Sequence, residues 1–233
     1  MAVTRDLADL VTEVCERNSE QVRAVAEAIV ASGHNGGLVR AAGAGHSLAA
    51  VLETFFRAGG LAHVRPLWHP RVLPLYGART ATAAEREPGL GREVAEAADI
   101  QRVDTVIVFS TSGINPYPVE VAQVARDAGA TVVAVTSRAA SAAAPLRAGQ
   151  RLFELADIVL DTGVAPGDVS WPPGAPVTAP TSSLANVALW TAVLREVHEL
   201  DPETPRWRSA NMAGNDDANA RLEERFSPQI PEI

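Results

Sequence analysis

Two short stretches of this 233-residue chain carry the residue types that can do chemistry. The first is "FSTSGINP", in which Ser110, Thr111, Ser112, Gly113 and Asn115 follow an apolar run and precede Pro116. A helix start with free N–H groups and flanking hydroxyls is an anion site. One hydroxyl suffices for a helix cap, and three with a turn-forming glycine go beyond that need. The second stretch is "GAGHS", where Gly43, Gly45, His46 and Ser47 separate another apolar run from a helical pattern. Both junctions predict backbone amides and hydroxyls gathered around a phosphate.

The composition narrows the chemistry. All 20 basic residues are arginine. A phosphate-loop lysine and a Schiff-base lysine are therefore excluded, and neutral donors are the natural phosphate ligands. The formal charge of −8 argues against broad nucleic-acid binding. Cys15 is the single cysteine, which excludes an internal disulfide. The histidines show no metal-binding spacing, so neither a metal nor a cofactor is expected. The start of the chain, "MAVTRDLADLVTEVCE", mixes charged and apolar residues. It reads as neither a signal peptide nor a membrane span, and a cytoplasmic protein is expected.

The elements that must position these residues follow from periodicity. Residues 4–32 read as helix, with a break at Asn18-Ser19 where Ser19 could cap the second part. Apolar runs at 37–43, 63–68, 104–110, 131–137 and 158–161 read as strands, the second at an edge because of Pro66. Helices are predicted over 46–58, 90–100, 116–129, 146–157, 181–200 and 216–226, and loops over 69–90 and 162–180. Unbroken Val/Ile runs alternating with helices predict an α/β three-layer sandwich around a five-stranded parallel sheet. In such sheets ligands bind beyond the carboxyl ends of the strands. The expected organisation is a helical segment 1–36, a domain 37–200 and a polar tail 201–233 packed on that domain. The amide- and carboxylate-rich part of the tail, Asn211 to Asn219, reads as a polar loop with an Asp cap at 216 or 217, or as a flap over a sugar.

Other readings of "GAGHS" are weaker. A dinucleotide fingerprint would need glycine where Leu48 stands. A nucleophile elbow at Ser47, with Asp161 and His198 in the right order, has only one strand before it. On the helix after Ser47, Glu53 is the one carboxylate. It is either a base beside the phosphate site or the partner of Arg57 four residues on.

The pairing of "GAGHSLAAVLETFFRAGG" with "STSGINPYPVEVAQVARDAGATVVAVTS" and "RLFELADIVLDTG" resembles the SIS (sugar isomerase) domain family. The resemblance implies a flavodoxin-like sheet, and a sugar phosphate held by Gly45, Ser47, Ser110, Thr111, Ser112, Gly113 and Asn115. The family usually carries Thr where this chain has Asn115, and its helix carboxylate falls about one turn later, at Arg57. The resemblance implies aldose–ketose isomerisation through an enediol, for which this chain's own residues offer Glu53 as candidate base and His46 and His69 as candidate ring-opening groups. The alternatives are a non-catalytic sugar-phosphate sensor and an etherase-type lyase. It also implies a homodimer or higher homo-oligomer.

Overall fold

The computed structural model describes residues 2–233, with side chains described from Leu7 onward. Five strands form one sheet: β1 (Val39–Gly43), β2 (Val64–Leu67), β3 (Thr105–Phe109), β4 (Thr131–Thr136) and β5 (Ile158–Asp161). They lie in the order β2-β1-β3-β4-β5, and every pairing is parallel. β1 and β3 are buried at every residue, as strands covered on both faces must be. β2 is an edge strand, the place where Pro66 costs no ladder bond.

Two helical layers cover the sheet. On one face α2 (Ser19–His34), α3 (Leu48–Thr54) and α9 (Ser182–Leu200) pack together, with α1 (Ala2–Arg17) lying on α9. On the other face are α4 (Ala78–Arg86), α5 (Leu90–Ala97), α6 (Pro116–Asp127) and the single turn α8 (Leu152–Leu155). A short helix, α7 (Arg138–Ala143), follows β4. The tail carries α10 (Asp216–Phe226) and packs through Trp207, Phe226 and Ile230 against Leu38 and Ala62. Its backbone pairs with the segment before β2, Trp207 N to Gly60 O at 2.9 Å and Ala62 N to Pro205 O at 2.9 Å. Asn219 clamps both backbone groups of Arg208 at 2.9 Å. These contacts put the tail at the amino end of β2 as a structural brace.

The break at Asn18 is present, but Ser19 does not cause it. The Asn18 amide gives its N–H to the carbonyls of Val14 and Asp161, and its oxygen accepts from Asp161 N at 2.7 Å. The turn between α1 and α2 is thus tied to β5. Three helix expectations need correction. Residues 69–90 are not one loop, because α4 lies within them, bracketed by Gly77 and Pro88. Residues 146–157 are helical only at 152–155, since Gly149 takes a φ of +78°. The helix after Ser47 ends at Thr54 rather than at 58, and Phe56 has a positive φ.

The amino ends of β1 and β3 are fastened by a buried ion pair. Asp104 accepts from Arg40 Nε at 2.9 Å, Leu38 N at 2.8 Å and Gln101 N at 3.0 Å. Arg40 also donates to Ala98 O at 3.1 Å. Burial pulls the Arg40 pKa down, and Asp104 opposes that shift. Asp104→Ala would strand the guanidinium in the core, and a loss of about 3–5 kcal/mol is expected in urea unfolding. A loss below about 1 kcal/mol would mean that the pair is dispensable.

His63, just before β2, is buried beneath Phe226. Burial, with Arg225 and Arg206 nearby, lowers its pKa from 6.5 to about 4. Between those values the unfolded chain binds a proton that the folded chain does not, so stability falls as pH drops through this window. The contribution is complete above pH 6.5 and amounts to about 3 kcal/mol. Urea midpoints between pH 7 and pH 4 are expected to fall less steeply for His63→Gln than for the parent. Equal slopes would contradict the assignment.

Candidate functional site

The sheet order places the reversal of connection between β1 and β3, where the crevice of an open parallel sheet binds ligands. A cavity of about 610 Å³ lies there, within the usual range for small-molecule sites. Its lining includes Gly45, His46 and Ser47 after β1, and Ser110, Thr111, Ser112 and Asn115 after β3.

The loop after β3 is held from behind. Ser110 N donates to Val135 O at 3.0 Å, Ser137 N to Thr111 O at 3.0 Å, and Leu152 N to Gly113 O at 2.8 Å. The Ser110 hydroxyl accepts from Gly113 N at 3.1 Å, so its oxygen shapes the turn. Gly113 does not line the cavity. Its φ is +56°, and a Cβ there would meet Leu152 Cβ at 2.9 Å, so only glycine makes this bend. The Thr111 and Ser112 side chains make no hydrogen bond among the described residues, and both line the cavity.

Helix α6 begins directly after this loop. Asn115 and Pro116 open it without a side-chain cap, and because Pro116 and Pro118 carry no N–H, Tyr117 supplies the first helical amide. The Tyr117 hydroxyl donates to Leu67 O at 3.2 Å and pins this end to β2; burial raises its pKa. The turn Gly45–Ser47 leading into α3 likewise has no side-chain cap. Two uncapped helix ends therefore meet at one cavity, each with a partial positive charge. The contrast is α9, whose first amides, Thr181 N and Ser182 N, both donate to Asp168 Oδ1 at 2.9 Å.

Sequence reasoning missed Glu85, which lies on α4 and lines the cavity. Its Oε1 accepts from Asn115 Nδ2 at 2.8 Å, and Asn115 Oδ1 accepts from Arg147 at 2.9 Å. Its Oε2 faces the turn after β1, since a Cβ on Gly45 would lie 3.9 Å from it. The helix-forming run "ARTATAAER" was the available signal, obscured by the prolines and glycine around it. Asp168 and Ser182 also line the cavity and were missed.

Two expected catalytic residues lie outside the lining. Glu53 is ion-paired with Arg57 on the surface of α3 and its C-terminal extension. His69 accepts a hydrogen bond from Arg71 N at 3.1 Å and caps the turn Pro70–Val72. His46 lines the cavity and is exposed. The nucleophile-elbow arrangement does not form: Asp161 receives Arg138 N and Gly163 N, and neither it nor the exposed His198 borders the cavity. Among the described residues no cluster of His, Cys, Asp and Glu could hold a metal ion. No described helix is long and apolar enough to cross a membrane.

Comparison with known proteins agrees with this architecture. The Neisseria gonorrhoeae phosphoheptose isomerase has a similar fold, with a TM-score of 0.58 at 18% identity over 85% of this chain and 96% of that one. The sugar isomerase domain of the Sphaerobacter thermophilus RpiR transcription factor gives 0.52 at 18% identity, over 87% and 91%. By sequence, a UPF0309 protein of Listeria innocua is 32% identical over 230 residues, 95% of this chain and 93% of the relative. A UPF0309 protein of Streptomyces coelicolor is 34% identical over 233 residues, 95% and 92%. The sequence pattern of the SIS domain matches residues 4–137, more than half of the chain. With its flavodoxin-like sheet and its two glycine- and hydroxyl-bearing junctions, the chain belongs to the SIS domain family.

Proposed function

We propose that this protein binds a sugar phosphate at the β1/β3 cavity and interconverts its aldose and ketose forms in the cytoplasm. The observation that carries the reading is the convergence of two uncapped helix N-termini and the hydroxyls of Ser47, Thr111 and Ser112 on one cavity. Such a site suits a phosphoryl group in a chain without lysine. Phosphoheptose isomerases share the fold, which supports the reaction class by analogy.

Isomerisation moves a proton between C1 and C2 through an enediol and needs one base at those carbons. Glu85 takes that role here. One of its oxygens is oriented by Asn115, and the other faces the Gly45–Ser47 turn across the cavity. The base removes the C2 proton of the open-chain aldose and returns it to C1, while a proton passes from O2 to O1. His46, on the cavity wall, is placed to move the proton that opens the ring. Glu53 is occupied by Arg57 and would enter catalysis only in a site shared with another copy.

Assembly is part of the proposal. Leu75 and Tyr76 follow Pro74, which lines the cavity, and are 92% and 74% exposed. Leu52 on α3 and Phe56 beyond its end also expose apolar surface. Pairing of two copies over these side chains would remove them from water. Light scattering at micromolar concentration is expected to give at least twice the chain mass, and a monomer would remove this part.

The reaction is tested by NMR of solvent-deuterium incorporation into hexose, pentose and heptose phosphates. Glu85→Gln keeps the contact with Asn115 and removes the base. It is expected to slow exchange about 10²-fold or more without loss of ligand affinity. Exchange that survives Glu85→Gln and disappears in Glu53→Gln would return the base to Glu53. Tight binding without exchange in the parent would leave a sugar-phosphate-binding protein.

A further inference from the structure

A second cavity, of about 340 Å³, lies at the amino ends of the strands, between the end of α2 and the C-terminal segment. His63 lines it, and both of its ring nitrogens are buried without a hydrogen-bond partner among the described residues. The residue is 2% exposed. A neutral imidazole there has one N–H to give and one lone pair to fill, and buried polar atoms are normally satisfied. Glu203 and Gln229 line the cavity without a side-chain hydrogen bond among the described residues, whereas Asp201 and Arg206 are already committed. Asp201 accepts from Thr204 Oγ1 at 2.8 Å and Glu203 N at 3.1 Å, and contacts His34 Nε2 at 3.1 Å. Arg206 donates to the carbonyls of Pro202, Thr204 and Asp201, and its charge is offset by Asp201 and Glu203.

Arg225 is different. It lines the same cavity and stacks on Phe226, 4.8 Å from the ring centroid. Its guanidinium makes no ion pair or hydrogen bond among the described residues. Ile29, Val30, Leu38 and Phe226 form an apolar part of the wall, and His34, Glu203, Thr204 and Gln229 form a polar part. Gly33, in the last turn of α2, keeps the space beside the imidazole open. A Cβ there would lie 3.4 Å from His63 Nε2, where a partner of that nitrogen would sit. No unusual backbone angle demands glycine at this position.

We propose that this cavity is a second ligand site for a small organic monocarboxylate with a hydroxyl beside the carboxylate. Arg225 holds the carboxylate by paired hydrogen bonds. His63 exchanges one hydrogen bond with the ligand's hydroxyl or carboxylate. Ile29, Leu38 and Phe226 cover the carbon skeleton. The site stands apart from the sugar-phosphate reading, since it lies at the opposite end of the sheet and uses none of the residues of the first cavity.

The test follows the His63 ring nitrogens by NMR in the full-length chain during titration with lactate, lactamide and inorganic phosphate. Lactate is expected to shift the His63 signals saturably, and lactamide, which lacks the charge, at least tenfold more weakly. Arg225→Gln should weaken lactate at least tenfold. Gly33→Ala should abolish the response while leaving thermal stability at least equal, because alanine favours the helix that contains it. Signals that do not respond to lactate would mean that ordered water alone fills the cavity. A response unchanged in Gly33→Ala, or phosphate acting as strongly as lactate, would also overturn the proposal.

Discussion

Arg40 and Asp104 are a pair of opposite charges removed from water together, and the site depends on that burial. Each would be costly alone in the core. Together they fix β1 beside β3, because the Asp104 carboxylate also takes Leu38 N immediately before β1. The register that results sets Gly43 opposite Phe109. Both strands therefore end at the same level, and the turns that follow them open side by side. A slip in this register would separate the Gly45–Ser47 turn from the Ser110–Asn115 loop, and no shared cavity would exist.

Every other feature of the cavity follows from that alignment. Loop 110–113 spends its backbone groups on β4 and on α8, which leaves Thr111 and Ser112 free on the other side. The amides of Thr111 and Ser112 make no hydrogen bond among the described residues, and they lie between the starts of α3 and α6. A chain with arginine as its only strong cation has little choice in how to hold a phosphate deep in a cavity. Fixed N–H groups and hydroxyls do so without the desolvation that a buried ammonium would require. Arg147 acts at one remove, through Asn115 to Glu85.

Much of this was legible in the sequence. The five strands announced themselves because both faces are buried and the Val/Ile runs are unbroken. The two loops were readable because glycine and hydroxyls cluster where strands end. What periodicity could not deliver was the content of residues 69–90. Gly77 and Pro88 looked like parts of one loop, yet they start and stop α4, and Glu85 was hidden with it. Glu53 was an expectation of the opposite kind. Its helix was legible, but spacing along a helix does not say whether Arg57 or a ligand engages the carboxylate. Asn18 shows a third limit. A break was visible locally, but its cause is a contact with Asp161, far along the chain, that no local pattern contains.

The claim on which the functional account rests is recognition of a phosphoryl group at the β1/β3 cavity. Calorimetric titration of the full chain with hexose and heptose phosphates, each beside its free sugar, tests it most directly. The account requires the phosphorylated form to bind at least tenfold more tightly for at least one sugar, and that preference to shrink in Ser112→Ala. Equal binding of phosphorylated and free sugars, or a preference untouched by Ser112→Ala, would contradict it.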